Sequence, residues 1–203
     1  MSSFSGEHYS RYAMAFILAA ATGLRCSELY ALRMDDVDFR ANTIRVDESF
    51  DGRNYTIGRC KNVAAYRMVF LGDHEGREAM RKLKAFVGDR IQNPTEFLFH
   101  SKRGSPMRET KVLHEALHPA LKALGLRKAG MHAFRRGCNR RWELSGVNPA
   151  AHRQMMGHSS SAMTARYSGT IPDEQIRSAF SRLNGPRIVV LEKRRKTENR
   201  RVA

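Results

Sequence analysis

The chain has 203 residues, 41% of them hydrophobic, and its 36 Lys and Arg against 20 Asp and Glu leave a formal net charge of +16. That length suffices for one domain with its own core, and the charge points to a polyanionic partner, nucleic acid first and an anionic membrane surface second. No apolar run reaches the roughly 18 residues a membrane-spanning helix needs, and the longest, Ala13 to Ala21, lacks the flanks of a secretion signal.

Residues 1–8 are small and polar, a frayed start. From Tyr9 to Thr22, Met14, Ile17, Leu18 and Ala21 recur at helical spacing, which predicts a mostly buried helix ended by Gly23. Ser27 is the expected cap of a short helix over 28–34. Arg25 then stands just before that helix's positive end, an unfavourable place for a cation. It is either a surface arginine or a phosphate ligand held by Glu28.

Thr43–Val46, Tyr55–Ile57 and Tyr66–Leu71 favour β structure and predict three strands, the first two joined through Asp51-Gly52. Lys61 falls in the connection between the second and third. A helix is expected over 73–87, then a short apolar piece, Phe97 to Phe99, and a basic loop over 101–108 suited to backbone phosphates. A further helix spans 110–124. It contains His114-Glu115-Ala116-Leu117-His118, which matches the zinc-protease pattern H-E-x-x-H. Pro119 argues against zinc, because it disfavours helical geometry at His118 and removes the bond to the Glu115 carbonyl. Cys26, Cys60 and Cys138 are odd in number and far apart, the usage of reduced cytosolic thiols rather than of a disulfide framework or metal knuckle.

The helix predicted over 132–145 places His132 and Arg135 three apart, on one face. Arg136, Arg140 and Arg141 add charge, Trp142 and Leu144 face inward, and Gly146 ends it. Pro149 opens a short helix in which Met155 and Met156 fill the core. Gly157-His158-Ser159 reads as a turn, and a helix from Ser159–Ser161 ends near Tyr167, nine positions after His158. Pro172 opens one more helix, 173–183, and Gly185-Pro186 marks a boundary before a basic tail, 193–203. Residues 130–169 thus bring together two imidazoles, a guanidinium and a phenol. Arginine clamps phosphate, histidine moves protons near neutral pH, and tyrosine becomes a nucleophile among cations. The combination suggests attack by Tyr167 on a phosphodiester.

With these residues assembled, the chain resembles the catalytic domain of the tyrosine recombinases, the phage-integrase family, over about residues 10–183. Ala21-Thr22-Gly23-Leu24-Arg25-Cys26-Ser27-Glu28-Leu29 resembles the family's first-arginine motif. Cys60-Lys61-Asn62 leading to Arg67–Leu71 resembles its hairpin lysine, and His132-Ala133-Phe134-Arg135 its HxxR box. Met156-Gly157-His158-Ser159 and Tyr167 resemble its second histidine and nucleophile. Arg136 stands where the family usually has His, and Phe70 where Pro is common.

The resemblance implies a mainly α-helical α+β fold with a small three-stranded antiparallel sheet. A catalytic domain would occupy 1–184 and a basic tail 185–203, with the family's N-terminal core-binding domain absent. Arg25 and Arg135 would hold the scissile phosphate, with Glu28 as structural support. His132 and His158 would donate to its oxygens, His132 also taking the Tyr167 proton, and Lys61 would protonate the departing 5′-hydroxyl. The expected product is a 3′-phosphotyrosine link on double-stranded DNA, made by a homo-tetramer assembled on that DNA, in the cytoplasm at the nucleoid. Neither a metal nor a small-molecule cofactor is expected. Two related readings share these features: a DNA-binding relative that has lost catalysis, and a type IB topoisomerase-like enzyme.

Overall fold

The computed structural model describes residues 10–60, 65–88 and 95–158. The chain divides into two units at Thr170/Ile171, and the described residues all lie in the first. Helix α1 (Arg11–Thr22) starts where the Ser10 hydroxyl accepts the Ala13 N–H, and ends at Gly23, whose φ of 64° is left-handed. Its buried side chains Met14, Ala15, Leu18 and Ala19 pack on α3 (His74–Val87) and α6 (His132–Leu144). Phe16 stacks on Phe134 of α6 at 5.4 Å. Helix α3 is capped by Asp73 and buries Ala79, Met80, Leu83 and Val87, the spacing of one helical face.

Helix α2 (Cys26–Ala31) is shorter than expected and begins earlier. Ser27 is not its cap. The Glu28 carboxylate instead turns back to accept the backbone N–H of Arg25 at 2.9 Å, because a glutamate at the third helical position reaches the residue before the helix. A 3₁₀ turn, Met34–Asp36, leads into the sheet.

The three-stranded antiparallel sheet is present, with different members from those expected. Its order is β1 (Val37–Asp38), β2 (Thr43–Val46), β5 (Arg67–Phe70). Ile44 pairs with Val69 and Val46 with Arg67. The expected strand at Tyr55–Ile57 belongs to a separate hairpin, β3 (Glu48–Asp51) with β4 (Thr56–Arg59). Tyr55 is a turn residue there, with φ 57°. Phe50, 5% exposed, anchors the hairpin, and β3 packs on α2. One inward aromatic in Glu48-Ser49-Phe50-Asp51 is too weak a signal for sequence reading, and two-residue β1 gives none.

The helix expected over 110–124 forms in three pieces: α4 (Glu109–Val112), a π-helical turn (Leu113–Leu117) and α5 (His118–Ala123). His118 is helical after all, with φ −66° and ψ −42°. Pro119 has no N–H for the Glu115 carbonyl and its ring crowds that turn, so the helix widens around it rather than breaking. Glu115 accepts the Tyr12 hydroxyl at 2.6 Å. Among the described residues no group of three or more His, Cys, Asp or Glu side chains is placed to hold a metal ion. None of their helices is long and apolar enough to cross a membrane.

In α6, Trp142 is buried, whereas Leu144 is 37% exposed and does not join the core. Arg141 turns back to donate to the Ala20 and Ala21 carbonyls at the end of α1, giving that helix terminus the cation its dipole favours. Helix α7 (Pro149–Met156), capped by Asn148, ends at Gly157 with φ 62° and packs on α6 and β5.

Candidate active site

The corner between α1 and α2 requires glycine twice over. Gly23 is left-handed, and a Cβ there would lie 2.7 Å from Met156 Cε and 3.2 Å from Cys138 Sγ. This close packing brings α6 and α7 against the corner that carries Arg25. Arg25 Nη1 donates to Glu28 Oε1 at 2.7 Å and Nη2 to the Gly157 carbonyl at 3.1 Å. A third of its side chain stays exposed. Arg135 is almost wholly buried. Its Nη1 donates to the Gly23 carbonyl and its Nη2 to the Met156 carbonyl, both at 2.6 Å.

A residue that motif reading passed over joins them. Arg67 of β5 donates from Nε to the Met155 carbonyl at 2.7 Å and grips Glu28 with both Nη atoms, at 3.2 and 2.9 Å. Three successive carbonyls at the end of α7, those of Met155, Met156 and Gly157, thus each accept from a different arginine. A helix C-terminus carries unpaired carbonyls and partial negative charge, so it draws these cations. The signal for Arg67 was its phase. In Arg67-Met68-Val69-Phe70, residues 67 and 69 are buried while 68 and 70 are exposed, so a charged residue occupies an inward position.

Glu28 is 2% exposed. Burial alone would raise its pKa, but hydrogen bonds and charge from Arg67, then charge from Arg25, outweigh that and hold it below the usual carboxylate range. Arg25 and Arg67 share this one carboxylate, while Arg135 donates to the Gly23 and Met156 carbonyls, so the three guanidiniums outnumber Glu28 by two positive charges. His158, next after Gly157, is buried. Its pKa is lowered to about 4, by burial first and then by Arg135, Arg25, His152 and Arg67. His132 opens α6 on the exposed side. Its pKa is also lowered, by partial burial and then by Arg135, Arg136 and Arg25. Both rings are therefore neutral at pH 7, each with one N–H donor and one acceptor nitrogen.

The structure brings together Arg25, Glu28, Arg135 and His158, with His132 within electrostatic reach of both arginines. Lys61 and Tyr167 lie outside the described residues. Beside Arg25 opens a cavity of about 810 Å³, lined in part by Arg25, Cys60, Arg53, Arg108 and Gly157. Arg108, from the loop expected to be basic, lies over the Tyr55 ring at 4.6 Å. The neighbouring thiols are both shifted towards the protonated form. Burial and a hydrogen bond to Glu109 push Cys26 up to about 12, and burial also raises Cys60. Altogether the site offers a fixed cluster of cations and two neutral imidazoles, a set suited to grip a phosphate and move a proton beside it.

Comparison with known proteins gives the same direction. The chain is 28% identical over 182 residues to the tyrosine recombinase XerC-like protein of Caldanaerobacter subterraneus subsp. tengcongensis, covering 79% of this chain and 46% of that one. It is 27% identical over 172 residues to tyrosine recombinase XerC of Bifidobacterium longum, covering 84% and 46%. It spans about half the length of these two relatives. Among solved structures, the Tn1549 transposon integrase in complex with transposon right end DNA superposes with a TM-score of 0.65 at 25% identity, over 89% of this chain and 61% of that one. XerA recombinase shares the fold, with a TM-score of 0.62 at 20% identity over 91% and 66%. Residues 2–171 match the family model for phage integrases, and the chain belongs to the phage integrase family.

Proposed function

We propose that this chain is the catalytic portion of a site-specific DNA recombinase, which cuts and rejoins duplex DNA through a 3′-phosphotyrosine intermediate. One observation carries the reading: Arg25 and Arg135, from distant segments, donate to the last carbonyls of α7, those of Gly157 and Met156, immediately before His158, whose ring feels the charge of both. Such an arrangement stabilises the charge that grows on phosphoryl oxygens as the phosphorus is attacked. The Tyr167 oxygen forms the new bond to phosphorus and the bond to the 5′-oxygen breaks. The phenol proton passes to neutral His132, and Lys61 supplies a proton to the departing 5′-oxygen. A 5′-hydroxyl of another strand reverses the step, so the phosphotyrosine link itself conserves the bond and no further reactant is consumed. The integrase–DNA complex and the net charge of +16 support duplex DNA as substrate. We assign the acting unit as a tetramer on DNA.

Incubation with a pool of nicked suicide duplexes tests the reading, because loss of a short fragment blocks religation and leaves protein on the DNA. Wild type is expected to give a covalent band and Tyr167→Phe none. Equal behaviour of the two refutes the assignment. Binding without any covalent band would identify a DNA-binding relative.

A further inference from the structure

Arg67 occupies a core position on β5 with 1% of its side chain exposed. A buried cation persists only where every donor is well used, and its partners here are specific. Besides Glu28 and Met155, it donates from Nη1 to the Ala65 carbonyl at 2.9 Å. Its two main partners are the groups that orient the phosphate grip. Glu28 holds Arg25 through side chain and backbone, and Met155 begins the run of carbonyls that ends one residue before His158.

We propose that Arg67 is a positioning residue for the phosphate chemistry: it ties Glu28 and the last turn of α7 into one frame and so sets how Arg25 and His158 meet the scissile phosphate. This rests on the strand-cleaving reading above. Arg67 makes no bond to DNA in this role, and overall affinity comes from many exposed cations. Its loss therefore falls on the rate of cleavage, where small displacements of a catalytic group weigh heavily. A purely structural ion pair would instead lower the fraction of folded protein.

Single-turnover trapping on two versions of a duplex recovered from the suicide pool separates these roles, one with the ordinary scissile phosphate and one with a methylphosphonate. The methylphosphonate is uncharged and depends less on a well-aimed cluster of cations, whereas a loss of folded protein lowers both rates alike. Arg67→Met is expected to bind the duplex within about twofold of wild type. It should trap about 100-fold more slowly on the phosphate, with the deficit shrinking to about tenfold or less on the methylphosphonate. Arg67→Lys keeps the charge but cannot bridge carboxylate and carbonyl together, so it should fall between; if Arg67→Met fails to fold, Arg67→Lys carries the same comparison. Wild-type trapping by the variants, or an equal deficit on both linkages, overturns the proposal while leaving the recombinase reading intact. Absence of trapping by wild type itself overturns that reading and this proposal with it.

Discussion

Glu28 decides more than any other single residue here, because two arginines depend on it. Glu28→Gln leaves Arg67 buried without its counter-charge, which is expected to cost about 3–5 kcal/mol in urea denaturation at pH 7. The sign of the pH dependence follows from its lowered pKa. The stabilisation is complete above the unfolded carboxylate's pKa and disappears as pH falls through the lower folded value, so wild type and Glu28→Gln converge in acid. His158 adds to the same trend over a different window. Its folded pKa near 4 lies below the roughly 6.5 of an unfolded histidine, so the unfolded chain takes the proton first and stability declines as pH drops from about 6.5 to about 4. The His158 ring signal in an NMR titration should therefore move only near pH 4. Addition of a cleavable duplex to Tyr167→Phe should raise that midpoint, since a bound phosphate favours the imidazolium. A midpoint near 6.5 in the protein alone would contradict the burial described.

At the scale of elements, the α1–α2 corner is the tightest joint. Gly23→Ala brings in both a left-handed alanine and a contact with Met156, and should lower stability by about 1–3 kcal/mol, read as a shifted denaturation midpoint. Fast trapping by this variant at full stability would show the corner to be less constrained. The helices that position the site were legible because their apolar residues repeat plainly: Met14, Leu18 and Ala21 in α1, and Met80, Leu83 and Val87 in α3. What escaped was decided by tertiary contacts. Ser27 has the chemistry of a cap, but the helix starts earlier, at Cys26, so Ser27 lies inside its first turn and Glu28 takes the Arg25 N–H instead. Arg67 looks solvated in a strand until the inward phase of Val69 and Leu71 is noticed. Pro119 signals a break, yet its own helix absorbs it as a widened turn. Leu144 was assigned inward from its apolarity alone, which is weak grounds, since single apolar residues are common on surfaces. Arg25, His132, Arg135 and His158 were legible as types at spacings. That Arg25 and Arg135, together with Arg67, bind the end of one helix was not, because backbone carbonyls leave no mark in a sequence.

For the whole molecule, the surplus of 16 positive charges governs encounter with DNA rather than chemistry. Duplex binding should weaken steeply with salt, by about 10³–10⁵ between 50 and 200 mM if six to ten phosphates are contacted. Removing residues 193–203, which include six Lys and Arg, should flatten that dependence in an anisotropy titration without changing which sequences are trapped. A slope untouched by the deletion would assign the electrostatics to the folded surface instead. Beneath that surface, the last turn of α7 links distant parts of the molecule. Bonds of 2.6 to 3.1 Å join it to guanidiniums rooted in β5, in α6 and at the head of α2. A displacement of that turn moves acceptors of all three cations at once, and the chain leaves it directly through His158.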